Sequence, residues 1–250
     1  MGLLSEAVPK RIRRNCMDYV ICTVGSYLVG TINPSYLIAK IKGFDIRKSG
    51  SGNAGGSNAV ITMGGKIGVL CALLDILKAY LVVTLMSKYL PDSVYVRSAS
   101  SVAVILGHMY PFYMGFKGGK GLACLGGSIL AYDPMLFVVM LTLAVAIALI
   151  TDYIVFVPLT VSVIYPLIYC YMDHKVIGTK QAVISTLILF ISTLFMWIRH
   201  RENVKRIKNG TEAHLSFLWK KDKELERIKD AVDAKGASDD LSDPEKLNYK

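Results

Sequence analysis

The stretch KIGVLCALLDILKAYLVVTLMSKYL, residues 66–90, decides the class of fold. Its charges stand near its ends, at Lys66 and Lys88, and in its middle, at Asp75 and Lys78. A helix needs about 20 mostly apolar residues to cross the hydrocarbon of a bilayer. An acid and a base three residues apart share a helix face. Inside a span such groups turn toward the bundle and pair. The reading is a membrane helix carrying a structural Asp75–Lys78 ion pair near a site.

The rest of the chain agrees. It has 250 residues, of which 53% are hydrophobic, and a mean hydropathy of +0.43; soluble domains hold about 45–50% apolar residues even with glycine counted. Apolar runs at about residues 17–41, 66–90, 98–114, 122–132, 135–150, 153–172 and 181–198 predict an all-α, polytopic membrane bundle of about seven spans. The fourth run is short, rich in small residues and suited to a re-entrant element, which is tolerated at membrane depth where protein or water covers its backbone. Residues 1–16 read as a basic arm, 17–212 as the membrane domain and 213–250 as a polar tail, partly disordered, to which no chemistry is assigned. Within the tail, residues 221–232 fit a short amphipathic helix.

The net charge of +10 is concentrated in short segments. With seven spans, the basic segments 40–57, 116–121 and 199–208 fall on one side, and the less basic loops at Asp92, Asp133 and Asp173 on the other. Excess Lys and Arg mark cytoplasmic loops. The three segments are therefore expected at the cytoplasmic face of the cell membrane, while Lys10, Arg11, Arg13 and Arg14 stand against the rule. No basic stripe interleaved with aromatics points to nucleic acid. The five cysteines are scattered without a C-x-x-C pair, which argues against a disulfide framework and a zinc site. The basic start precedes an apolar run too long for a signal peptide.

Three polar segments carry the chemistry. In the first, GSGNAGGSN at residues 50–58, glycines permit positive φ and close approach to a ligand. Successive N–H groups there form an anion-binding hollow. Its candidate contacts are Gly50, Ser51, Gly52, Asn53, Gly55, Ser57 and Asn58. A flexible loop or a helix-packing cluster explains the same composition. The second, FKGGKG at residues 116–121, sets Lys117 and Lys120 around Gly118 and Gly119, before Gly121. Lysine is a compact charge suited to phosphate, although the pattern lacks the Walker spacing. His108, at the end of a span, reads as a packed histidine. In the third, WIRHRENVKRIK at residues 197–208, His200 and Asn203 share a helix face among Arg199, Arg201, Lys205, Arg206 and Lys208. Imidazole can take a proton and Asn can hold a hydroxyl; alone, the segment reads better as a juxtamembrane basic helix that binds lipid headgroups. No G-x-S-x-G elbow or cysteine beside His200 offers a nucleophile, so direct transfer between two bound substrates is favoured.

The strings IKGFDIRKSGSGNAGGSN, LLDILK, GHMYPFYMGFKGGKG and RHRENVKRIKNGTE stand in one order between Gly25 and Glu212. In that order they resemble the bacterial acyl-phosphate:glycerol-3-phosphate acyltransferases, the PlsY family. The resemblance implies a seven-helix membrane enzyme with its motifs on the cytoplasmic side. Its reaction would move a fatty acyl group from acyl phosphate to the 1-hydroxyl of glycerol 3-phosphate, giving lysophosphatidic acid and phosphate, without metal, coenzyme A or other cofactor. It further implies that Ser51 and its glycines contact phosphate, that Lys117 and Lys120 are the second motif's lysines, and that His200 and Asn203 hold glycerol 3-phosphate near the donor. The base is either His200 or a phosphate oxygen of the substrate.

The chain departs from the family pattern where T-N-x-x-R becomes Ser57-Asn58-Ala59-Val60-Ile61, so a cation that helps bind the acceptor phosphate is replaced by Ile61. GTINPSY also departs, with Thr31 for Ser and Pro34 one place late. A paralogue with a changed acceptor or lower activity stays open, as does a transporter or phospholipid-binding protein, although no internal repeat supports transport.

Overall fold

A computed structural model describes residues 16–218 and 220–233; the basic arm before residue 16 and the tail beyond residue 233 lie outside them. Among the described residues the chain is helical, with no strand. In chain order the helices are α1 (Cys16–Thr31), α2 (Pro34–Ile41), α3 (Gly56–Met63), α4 (Gly65–Tyr89), α5 (Val96–Met109), α6 (Leu122–Tyr132), α7 (Pro134–Thr151), α8 (Phe156–Ile177), α9 (Thr179–Lys208) and α10 (Lys221–Asp233). Four of them, α4, α7, α8 and α9, are long and apolar enough to cross a membrane. Their outer faces are apolar: Leu73, Leu77, Leu81 and Leu85 make an exposed i, i+4 stripe along α4, the surface a lipid-facing helix presents. With 11 residues, α6 extends only about 16 Å, against a hydrocarbon core of about 30 Å.

The first expected span, 17–41, is two helices. Asn33 breaks it by capping α2, its Oδ1 accepting from the Tyr36 amide at 2.9 Å, with Pro34 in the first turn. Proline is tolerated there because that N–H has no intrahelical partner. The break strands carbonyls at the end of α1, which at membrane depth must find donors. Lys78 supplies them: Nζ donates to Gly30 O at 3.0 Å and Ile32 O at 2.5 Å. Its charge is met by Asp75 at 2.6 Å, and Asp75 also lies 3.2 Å from His108 Nδ1. The ion pair read from residues 66–90 thus holds together α1, α4 and α5.

Close packing fixes the bundle. A Cβ on Gly30 would lie 2.3 Å from Val104 O, and one on Gly107 2.2 Å from Tyr27 O, so α1 and α5 meet through bare backbone. In α8, Pro166 has no N–H for the carbonyl of Ser162; Thr193 of α9 donates to that oxygen at 2.6 Å. A second apolar cluster, including Ile46, Ala54, Ala59, Cys71 and Met114, seats the glycine-rich loop and α3 against α4.

Candidate active site

The loop at residues 50–58 is built around one side chain. Asn58 is fully buried. Its Nδ2 donates to Ile46 O, Ser49 O and Asn53 O at 2.8–3.0 Å, and its Oδ1 accepts from Ser51 N at 2.8 Å. Asn58, expected among the ligand contacts, instead shapes the loop. Gly50 and Gly52 take positive φ of 58° and 71°, a region L side chains avoid. Gly50, Ser51, Asn53, Gly55 and Ser57 line a cavity of about 540 Å³. Among the described residues, Asn53 Oδ1 is buried there without a hydrogen-bond partner.

The second loop also differs from its expected role. The N–H groups of Gly118 and Gly119 donate back to Met109 O and His108 O at 3.0 and 3.1 Å, so they seat the loop on the end of α5 rather than cradle an anion. A Cβ on Gly118 would lie 2.2 Å from His108 O, and one on Gly119 1.9 Å from His108 Nε2. Gly119→Ala is therefore expected to destabilise the fold by about 3 kcal/mol, seen as a fall in Tm of about 6–12 °C in detergent; an unchanged Tm would refute this packing. Lys117 is exposed and outside the cavity lining, while Lys120 and Gly121 line it. Arg199 steadies the loop, donating to Gly118 O at 2.9 Å with its guanidinium over the Tyr110 ring.

From α9 come His200 and Asn203, both buried, and Arg206. They follow at i, i+3 and i+6, one face of the helix. Arg201 lies a helical step off that face and is exposed, so Arg206 takes the place expected for it. His200 Nδ1 is 2.7 Å from Met196 O. A carbonyl can only accept, so in the neutral ring the proton sits on Nδ1 and Nε2 is the basic nitrogen. Asn203 Oδ1 accepts from Lys120, and Asn203 Nδ2 donates to Glu212 Oε1 at 2.5 Å. Arg206 Nε donates to the other Glu212 oxygen at 2.6 Å. Burial, reinforced by Arg206 and opposed by Glu212, holds the Lys120 ammonium down at about 7.

Two helices begin at this cavity, α3 after Gly55 and α6 after Gly121, and among the described residues neither has a side-chain cap. Helix starts carry partial positive charge and N–H groups aimed outward. With Lys120 and Arg206 they gather positive charge on the cavity lining, an arrangement that suits an anion. The cavity is also lined by apolar side chains, Ile76, Ile129, Phe137, Met140, Val157 and Val161 of α4, α6, α7 and α8. One cavity thus joins a polar, positively charged lining to an apolar one. Asp75, His108 and Cys124 bring donor atoms within 4.8 Å of one another, and the ammonium of Lys78 already supplies the cation there.

Residues 20–210 match the family model for glycerol-3-phosphate acyltransferase. The chain belongs to that family. Relatives of this acyltransferase include the glycerol-3-phosphate acyltransferases of Halalkalibacterium halodurans, 35% identical over 78% of this chain and 94% of the relative, and of Bacillus subtilis, 36% identical over 77% and 95%. Among solved structures it is similar to the crystal structure of PlsY (YgiH), an integral membrane glycerol 3-phosphate acyltransferase. The glycerol 3-phosphate form of that protein is 31% identical, covers 80% of this chain and 96% of its own, and superposes with a TM-score of 0.67. Its lysophosphatidic acid form gives 30%, 78%, 94% and 0.64. This acyltransferase is therefore a multi-pass membrane protein of phospholipid synthesis.

Sequence reasoning left Glu212 outside the site and gave Arg206 no role beyond charge. The step of three from His200 to Asn203, continued once more, reaches Arg206. Glu212 is brought back by the turn after α9, in which Thr211 N and Glu212 N both bond to Arg206 O.

Proposed function

We propose that this acyltransferase takes its acyl group from acyl phosphate and gives it to the 1-hydroxyl of glycerol 3-phosphate, releasing lysophosphatidic acid and phosphate at the cytoplasmic face. The observation that carries the reading is one cavity lined both by Lys120, His200 and the starts of α3 and α6 and by apolar side chains of α4, α6, α7 and α8. The apolar lining suits a fatty chain, and the polar lining suits phosphate. Acyl phosphate is already activated, so the main demand is orientation of hydroxyl and acyl carbon. The hydroxyl oxygen attacks the acyl carbon and gives its proton to a base, His200 Nε2 in this reading. The acyl–oxygen bond to phosphate then breaks, and the leaving phosphate keeps that electron pair. Lys120 and the helix starts stabilise the charge as it develops. The basic segments around the chamber favour the cytoplasmic side.

Donor choice is tested with purified protein given glycerol 3-phosphate and either palmitoyl phosphate or palmitoyl-CoA. Product is expected from the phosphate donor; product from the CoA ester alone would overturn the assignment. Acceptor choice is tested at Ile61, which lines the cavity against Gly50. A guanidinium there would add a charge-assisted hydrogen bond to phosphate. Ile61→Arg is expected to lower KM for glycerol 3-phosphate about tenfold, as 1.4 kcal/mol of added binding would. No gain would point to a different acceptor.

A further inference from the structure

The segment after residue 212 lies beyond the family model, which ends at residue 210, and the relatives covered over 94–95% of their own length match only 77–78% of this chain. It nonetheless packs on the chamber. His214, Leu215 and Ile228 line the cavity, and Ile228 of α10 is 3% exposed. Leu215 N and Ser216 N donate to Asp152 between α7 and α8, to its backbone O at 2.7 Å and its Oδ1 at 3.1 Å. His214 Nε2 sits 2.8 Å from Tyr153 Oη. The fastening point is Arg227. Its Nη1 donates to Gly210 O at 2.5 Å and its Nη2 to Glu212 O at 2.7 Å. Glu224, 5% exposed, holds the guanidinium from behind at 2.6 Å and accepts from His214 N at 2.8 Å. The turn so clamped is the one that aims the Glu212 carboxylate at Asn203 and Arg206.

We propose that this segment is a cap on the active site and that Arg227 is a positioning residue for the acceptor end. It touches no reacting atom. By fixing two carbonyls of the 210–212 turn, it sets where Glu212 stands, and through Glu212 it sets the amide of Asn203 and the guanidinium of Arg206. The hydrogen bonds of Arg227 go to Gly210, Glu212 and Glu224, none of them part of the apolar lining from α4, α6, α7 and α8. The kinetic consequence rests on the acceptor reading given above.

The test uses the full chain in detergent, as wild type, Arg227→Ala and Arg227→Lys, with two readouts. Hydrogen exchange in the peptide covering residues 210–215 of ligand-free protein is expected to quicken about tenfold in Arg227→Ala and by less in Arg227→Lys, which keeps one donor and the charge. KM for glycerol 3-phosphate is expected to rise about tenfold in Arg227→Ala and about threefold in Arg227→Lys, with kcat and the acyl phosphate KM within twofold. Unchanged exchange overturns the cap, whether or not the protein turns over. Equal losses for donor and acceptor, or no recovery in Arg227→Lys, overturn the positioning role. A wild type that shows exchange protection but does not acylate glycerol 3-phosphate keeps the cap and overturns the acceptor reading instead.

Discussion

His200→Ala is expected to lower kcat by about 10²–10⁴-fold, the range of a positioned general base, with KM for either substrate changed far less. The imidazole is fixed by its Nδ1 bond to Met196 O, so its other nitrogen is set as acceptor without further ordering. The other two histidines of the cavity lining are engaged: His214 bonds Tyr153 through Nε2, and His108 lies against Gly119 and Asp75. Elution of the variant as a monodisperse peak in detergent separates chemistry from misfolding. A loss below about tenfold would assign the proton to a phosphate oxygen of the substrate.

Lys120→Met is expected to lower kcat/KM by about 10²–10³-fold, the usual loss when a donor to developing negative charge is removed. Methionine keeps most of the stem and deletes the ammonium. The pH behaviour sharpens the claim. In the free protein Lys120 loses its proton as pH rises through about 7. A bound phosphate dianion favours the charged form and raises that value. Binding of glycerol 3-phosphate at pH 8 should therefore take up to about one proton from solvent, measured by calorimetry in two buffers of different ionisation enthalpy. Lys120→Met should take up none. Stability moves the other way. An amine whose value falls from 10.5 to about 7 on folding destabilises the fold below about pH 7, and that penalty fades as pH climbs toward 10.5. The methionine variant should be at least as thermostable as wild type at pH 7, and a lower Tm there would contradict the burial argument.

The membrane fold was legible because long apolar runs with few charges have few alternatives to helices in a bilayer. Asp75 and Lys78 were legible as a pair because their spacing alone puts them together. The break at Asn33 was not, since apolarity continues through Ile32 and the group that makes the break tolerable at membrane depth, the Lys78 ammonium donating to the stranded carbonyls, lies 45 residues away. His200, Asn203 and Lys120, candidates by residue type and spacing, line one cavity. The paths of the glycines and of Asn58 were not legible. A G-S-N string reads the same whether its N–H groups face a ligand or bond within the loop, and only the three-dimensional path shows Gly118 and Gly119 tied to α5 and Asn58 tied to its own loop. Arg201 and Lys117 were drawn in by charge and are exposed by geometry. The segment after residue 212 looked inert because its composition is polar, yet its Arg227 bonds the 210–212 turn and its Ile228 lines the cavity, contacts far enough along the chain that no local pattern encodes them.

The most direct test gives the purified full chain palmitoyl phosphate with and without glycerol 3-phosphate, and follows phosphate and lysophosphatidic acid together. Direct transfer in one chamber predicts that phosphate release depends on glycerol 3-phosphate and matches lysophosphatidic acid one for one. Phosphate release without the acceptor, or no lysophosphatidic acid with both substrates present, would contradict it.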